Sequence, residues 1–88
     1  MPDTVPDWSA ELDARGLLCP LPVLKARKRI AALQPGEVLR VLTTDPAAVL
    51  DVPHFCAEAG HAVIDTSEGG EHASGPVTVW LLRKGSNA

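Results

Sequence analysis

Hydrophobic and polar positions recur along this chain with two different periods, and each change of period marks a predicted element. Ala10 to Ala14 alternates apolar and acidic residues, which is the period of a half-buried strand. From Pro20 to about Leu33 the period is helical, and Pro35-Gly36 ends the helix. The face that this helix is expected to lay on a sheet consists of Val23, Ala26, Ile30 and Leu33.

The middle of the chain predicts a buried strand and a second helix. Glu37 to Thr43 is rich in leucine and β-branched residues, which is typical of a buried strand. Thr44-Asp45-Pro46 combines a capping residue with a proline suited to a first helical turn. Because Pro53 interrupts the helical pattern that follows, we expect a short turn and then a helix that restarts with Asp51 as its cap and ends at Gly60.

Two further strands are predicted at His61–Thr66 and Pro76–Arg83. The segment between them, Ser67–Gly75, contains three glycines and is expected to be a mobile surface loop. It is too short for a helical crossover, so the two strands should form an antiparallel hairpin. The element order is βαβαββ, which predicts one sheet with both helices on one face. Trp80 is expected on the opposite, open face.

The length of 88 residues supports a single domain. We expect residues 1–9 to be a flexible tail in which Trp8 packs on the domain edge, residues 10–85 to form the domain, and residues 86–88 to be a second tail. The first nine residues hold two prolines, two acidic residues and no apolar run, so they do not resemble a signal peptide. No segment has the length of a membrane span. The chain is therefore expected in the cytoplasm, where its two cysteines would be free thiols.

Cys19 is the leading candidate for chemistry because a proline that can open a helix follows it directly. Pro20 suits the first helical position and Pro22 still fits in the first turn, which predicts Cys19 at the N-cap. The amides of Leu21 and Val23 remain to face an anion there. The partial positive charge of a helix N-terminus favours thiolate over thiol, so we expect a partly activated cysteine.

The other potential ligands and nucleophiles have simpler interpretations. Cys56 lies on the apolar face of the second helix, as a buried inert thiol or as a redox partner of Cys19. No metal site is expected, because the short paired spacing of zinc ligands is missing from the neighbouring set His54, Cys56, His61 and His72.

Basic residues are concentrated in the first helix. The chain has 8 Lys and Arg against 11 Asp and Glu, a net charge of −3, which gives no general reason to expect nucleic acid. Four of the eight basic residues nevertheless fall within five positions, namely Lys25, Arg27, Lys28 and Arg29. This run is either a solvated helix face or a docking patch for an acidic partner.

The run Leu12–Pro22 resembles the signature of the TusA (SirA-like) sulfur-carrier family, whose hallmark is C-P-x-P at the start of the first helix. The likeness extends from about Ala10 to Gly85, although position 21, often acidic in members that serve tRNA modification, is Leu21. Further segments similar to the family pattern are Arg27-Lys28, Gln34-Pro35-Gly36-Glu37, Thr44-Asp45-Pro46-Ala47, Asp51–Cys56 and Leu82-Arg83-Lys84-Gly85.

The resemblance implies a two-layer α/β (α+β) sandwich with a mixed four-stranded sheet. It also implies a sulfur carrier that accepts sulfane sulfur as a persulfide on Cys19 and passes it on, rather than a free-standing turnover enzyme. The donor would be a cysteine desulfurase or a rhodanese-type protein, and the acceptor a relay protein of tRNA thiolation, cofactor synthesis or sulfur oxidation. Beyond the transient persulfide, no cofactor is implied.

Supporting roles follow from the same resemblance. Pro20 and Pro22 would orient the cysteine; rim or docking roles are expected for Asp13, Arg15, Arg27, Lys28 and Asp45. Two other functions remain open. A thiol redox protein would use Cys19 together with Cys56. A regulatory or nucleic-acid-binding module would depend on the basic helix face, although three aromatic residues leave little for base stacking.

Overall fold

The core lies between one face of a four-stranded sheet and two helices, in a computed structural model that describes residues 8–86. The elements follow the predicted order: β1 Ala10–Ala14, α1 Leu21–Ala31, β2 Val38–Thr43, α2 Ala48–Ala59, β3 Ala62–His72 and β4 Gly75–Arg83. The strand order is β1-β2-β4-β3. The β1–β2 pair is parallel, whereas β2–β4 and β3–β4 are antiparallel. The predicted βαβαββ fold with a mixed sheet is therefore confirmed.

Alternate residues of the strands face the helices, as a half-buried sheet requires. In α1, Ala26 and Ile30 are buried while Val23 and Leu33 pack against the core, so the face predicted from the helical spacing is the buried one. The main core cluster consists of Leu12, Ala14, Ala26, Ile30, Leu39, Val41, Ala48, Val52, Phe55, Cys56, Trp80 and Leu82.

The C-terminal end of α1 is held by Lys84, which follows β4. The Lys84 ammonium donates hydrogen bonds to the carbonyl oxygens of Leu33 at 2.7 Å and Ala31 at 3.1 Å, and the residue is only 9% exposed. These carbonyls lack partners within the helix, so a cation suits them both as a donor and by charge. The helix ends at Ala31 rather than near Leu33.

The predicted restart of the second helix at Asp51 is wrong. α2 is one continuous helix from Ala48, with Pro53 inside it and the left-handed Gly60 as its C-cap. Pro53 removes one backbone hydrogen bond. The helix continues through this position because residues on both sides of it bury their side chains on the same face, among them Val52 and Phe55.

The predicted mobile loop at residues 67–75 is also wrong, because β3 continues through it to His72. Glu68 pairs with Thr78 and Glu71 pairs with Pro76, with an irregularity in register between them. Gly69 lies in that irregular segment, where a Cβ atom would come within 2.6 Å of Val79. A glycine-rich polar segment thus forms strand because its partner strand supplies the pairing and the close approach excludes a side chain.

Trp80 lies on the helix-covered face of the sheet, not on the open face as predicted. It is 4% exposed, and its indole N–H donates a 2.9 Å hydrogen bond to the hydroxyl of buried Thr43. The small cluster on the opposite face is formed instead by Leu42, Val77 and Val79. The alternation along β4 was correct, but the assignment of its two faces was reversed.

The predicted tails fall largely on residues 1–7 and 87–88, which lie outside the described residues. The Trp8 ring lies beside Arg40, whose Cζ is 4.7 Å from the ring centroid. Ser9 donates its N–H to the carbonyl oxygen of Val38 at 2.7 Å, one residue before β1 begins. Neither of the two helices in the described part of the chain is long and apolar enough to cross a membrane.

Candidate functional site

Cys19 lies in the connection between β1 and α1, and the start of α2 holds that connection in place. Gly16, with φ of 83°, donates its N–H to the Thr44 hydroxyl at 2.9 Å. The Cys19 N–H donates to Oδ2 of Asp45 at 2.6 Å, while the other oxygen of the same carboxylate accepts the N–H of Ala47 at 3.1 Å. One carboxylate therefore joins the cysteine backbone to the turn that precedes α2. The cysteine itself is exposed.

The helix begins later than the sequence predicts, which changes the surroundings of the thiol. Pro20 is the N-cap and Leu21 the first helical residue, so Cys19 lies one position before the cap. The Leu21 N–H, expected to face an anion, donates instead to the carbonyl oxygen of Leu18 at 2.9 Å. Pro22 is buried in the first turn.

The prediction of an activated thiolate is contradicted. The pKa of Cys19 is raised, first by a hydrogen bond to the Asp51 carboxylate, then by partial desolvation and by the negative charges of Asp51 and Asp45. Carboxylates close to a thiol oppose its ionisation. The helix terminus was expected to supply positive potential, but the neighbouring start of α2 supplies two negative groups.

A cavity of about 200 Å³ opens beside Cys19 between the two helices. Its walls are Pro20 and Val23 from the α1 side and Phe55 from α2, and Arg27 lies across Phe55 with its Cζ 5.0 Å from the ring centroid. The remaining lining residues are Asp51, His54 and Glu58. The cavity thus has an apolar floor and a rim that carries both signs of charge.

Of the residues predicted for the site, the structure brings Pro20, Arg27 and Asp45 to Cys19. Lys28 lines a different cavity, together with Lys25 and Arg29. Asp13 and Arg15 form an exposed bidentate pair with two 2.8 Å contacts, which holds the pKa of Asp13 well below its usual range. Neither residue of that pair lines the Cys19 cavity.

The second cysteine is inaccessible. Cys56 is 2% exposed in the core, and burial raises its pKa to about 11. It is absent from the lining of the Cys19 cavity. Within residues 8–86, no three His, Cys, Asp or Glu side chains come together as a metal site.

The sequence patterns did not predict an apolar rim, by which we mean the exposed aliphatic side chains that directly precede Cys19 or lie in the first turns of α1 and α2. Its members, with their exposed fractions, are Leu18 at 68%, Leu21 at 44%, Leu24 at 51%, Val49 at 57% and Leu50 at 76%. Large aliphatic side chains exposed at the starts of both helices are typical of an interaction surface. Asp51 was also missed, because the pattern assigned it only a capping role; its proximity to Cys19 depends on how the two helices pack.

The family model described as Sulfurtransferase TusA matches residues 10–81, which include the whole site. The chain belongs to the TusA family. Among relatives, it is 44% identical over 64 residues to the sulfur carrier protein TusA of Allochromatium vinosum, covering 73% of this chain and 84% of that one. It is 38% identical over 84 residues to the sulfur carrier protein TusA of Pseudomonas entomophila, covering 96% of this chain and 98% of that one.

A solved structure has the same fold. The crystal structure of a SirA-like protein from Desulfitobacterium hafniense superposes with a TM-score of 0.64 at 23% identity, covering 86% of this chain and 99% of that chain. The TusA resemblance and the fold that it implied are thus both confirmed.

Proposed function

We propose that this TusA-family chain is a sulfur carrier in which Cys19 accepts a sulfane sulfur as a persulfide and delivers it to another protein. The observation that carries this proposal is an exposed cysteine, fixed through its backbone by Asp45, beside a cavity lined by neither a second cysteine nor a metal-ligand cluster. Such a thiol is suited to holding a group rather than to transforming one. The name sulfur carrier protein, borne by the relatives, supports the same role.

The transfer is a displacement at sulfur. The Cys19 thiol first loses its proton to solvent, and the thiolate attacks the terminal sulfur of a donor cysteine persulfide. A bond forms between Cys19 Sγ and the terminal sulfur as the donor's S–S bond breaks, and the donor cysteine leaves as a thiolate. Delivery repeats the displacement, with an acceptor thiolate as the attacking group. No external oxidant or reductant is needed.

Two carboxylates near the thiol oppose the first step until a partner docks. Asp51 and Asp45 raise the pKa of Cys19, so the free carrier holds mainly thiol. A cationic group of the donor placed beside Asp51 would lower that pKa again. Thiolate formation would then coincide with docking, which protects the carrier from unspecific reaction.

The proposed partners are a cysteine desulfurase or a rhodanese-type protein as donor and a downstream relay protein as acceptor. Both would dock on the apolar rim defined above, whose side chains are exposed at the starts of the two helices. Arg27 contributes positive charge at the cavity, and Lys28, Asp13 and Arg15 would contact a partner only at the periphery. A reducing compartment such as the cytoplasm would keep both cysteines as free thiols.

The test is sulfur loading followed by intact mass. The full chain is incubated with cysteine and a desulfurase, and the mass is expected to increase by one sulfur atom, which dithiothreitol removes. Cys19→Ser should gain no sulfur, whereas the matched variant Cys56→Ser should gain as much as the native chain. A native chain that gains none, or a Cys19→Ser variant that gains sulfur equally, contradicts the proposal. Loss of loading in Cys56→Ser would instead favour the redox alternative.

A further inference from the structure

A second cavity of about 240 Å³ lies further along the groove between α1 and α2, and shares Arg27 and Phe55 with the Cys19 cavity. Its polar lining residues are Arg27, His61 and Lys84, and the rest of its wall is apolar. No carboxylate lines it. In a chain of net charge −3, two cations and an imidazole therefore meet without an acidic residue among them.

Each of the three groups retains a hydrogen-bond donor. Among residues 8–86, Arg27 forms no ion pair, and its guanidinium lies over Phe55. His61 accepts the Gly85 N–H at Nδ1, at 3.1 Å, which leaves the proton of the neutral imidazole on Nε2. Lys84 donates to the carbonyls of Ala31, at the end of α1, and of Leu33, just beyond it, and has a third N–H.

The positive charges of this cavity also affect the groups that line it. Burial lowers the pKa of His61, and the charges of Lys84 and Arg27 lower it further. Like charges that converge at a partly buried site destabilise one another unless an anion lies between them. Two donors of the Lys84 ammonium are taken up by the carbonyls of Ala31 and Leu33, so its remaining donor is available to a group that enters the cavity.

We propose that this cavity binds a small tetrahedral oxyanion of the sulfate, phosphate or thiosulfate class, held by Arg27, His61 Nε2–H and Lys84. Three donors from three different segments match an ion with several acceptor oxygens. Lys84 is only 9% exposed, so only a small ligand would reach its ammonium. The proposal does not depend on the sulfur-carrier role of Cys19.

The test is a titration of the full chain with sulfate, phosphate and thiosulfate in separate experiments at low chloride, followed by NMR. Saturable shifts are expected for the Gly85 amide and the His61 imidazole. Arg27→Gln should weaken binding about tenfold or more, because a charge-assisted hydrogen bond is lost. Arg27 is exposed, so this variant is expected to fold, which an unchanged amide spectrum elsewhere would verify.

Lys28→Gln is the matched control, since it makes the same change of charge on the same helix but lines a different cavity. It should bind the ions as the native chain does. The absence of saturable shifts with all three ions overturns the proposal. Equal weakening by Arg27→Gln and Lys28→Gln also overturns it, because the effect would then reflect only overall charge.

Discussion

The carboxylate that joins Cys19 to the start of α2 makes a quantitative prediction for Asp45→Ala. Asp45 accepts two backbone N–H groups, from Cys19 at 2.6 Å and Ala47 at 3.1 Å. A hydrogen bond to a charged group contributes about 1.5–3 kcal/mol when well shielded, and less where water can reach it. Asp45 is half-buried, so water can partly replace its carboxylate as an acceptor. We therefore expect Asp45→Ala to lower the free energy of unfolding by about 2 kcal/mol in total.

This loss corresponds to a decrease in Tm of about 8–16 °C for a domain of this size. The assay is urea unfolding followed by tryptophan fluorescence, combined with hydrogen exchange at the Cys19 amide, which should speed up. Asp45→Asn should lose about half as much free energy, because its one carbonyl oxygen can replace only one of the two acceptors. Glu58→Ala is the control on α2; its exposed pairing with His54 predicts a change within about 0.5 kcal/mol.

The role of Asp45 is refuted if the free energy of unfolding of Asp45→Ala lies within about 0.5 kcal/mol of the native value and the Cys19 amide keeps its native exchange rate. That result would mean that water satisfies both N–H groups equally well. A loss of stability without faster exchange at Cys19 would restrict the effect to the local turn at Ala47, and would contradict the role of Asp45 in holding the cysteine.

The other predictions concern the thiol and the core. Asp51→Asn removes the negative charge that raises the pKa of Cys19 and leaves only a neutral hydrogen-bond acceptor, so the pH profile of iodoacetamide alkylation should move to lower pH. Glu58 is not among the groups that raise the pKa of Cys19, so Glu58→Gln should leave the alkylation profile unchanged. An alkylation profile that does not move in Asp51→Asn would contradict the role given to Asp51. Thr43→Val leaves the buried Trp80 N–H without its acceptor, so urea unfolding should show a loss of about 1–3 kcal/mol. A loss below about 0.5 kcal/mol would mean that another group accepts this proton.

Local patterns predicted the elements well where an element's own residues decide its conformation. β1 has the bounds that its alternation predicted, and α2 ends at the glycine predicted to stop it. Apolar periodicity also identified the buried face of α1. These features depend on neighbours a few positions apart, which the sequence displays directly.

The predictions that were wrong concern positions whose conformation depends on segments distant in sequence. The glycine-rich segment after Thr66 became strand because β4 pairs with it, and Trp80 faces the helices because the sheet register places it opposite Val41. α2 continues through Pro53 because burial on both sides outweighs one lost hydrogen bond. In each case tertiary contacts overrode a local preference.

By itself, the sequence determined that a cysteine precedes a proline-rich helix start in a βαβαββ domain that resembles the TusA family, because spacing, period and motif are properties of the chain. Only the tertiary structure decided the electrostatics of that cysteine. Asp45 and Asp51 reach Cys19 from the other helix start and reverse the expected direction of its pKa shift. The physical reason is that electrostatic interactions depend on separation in space, and folding brings to the cysteine two carboxylates that are distant from it in sequence.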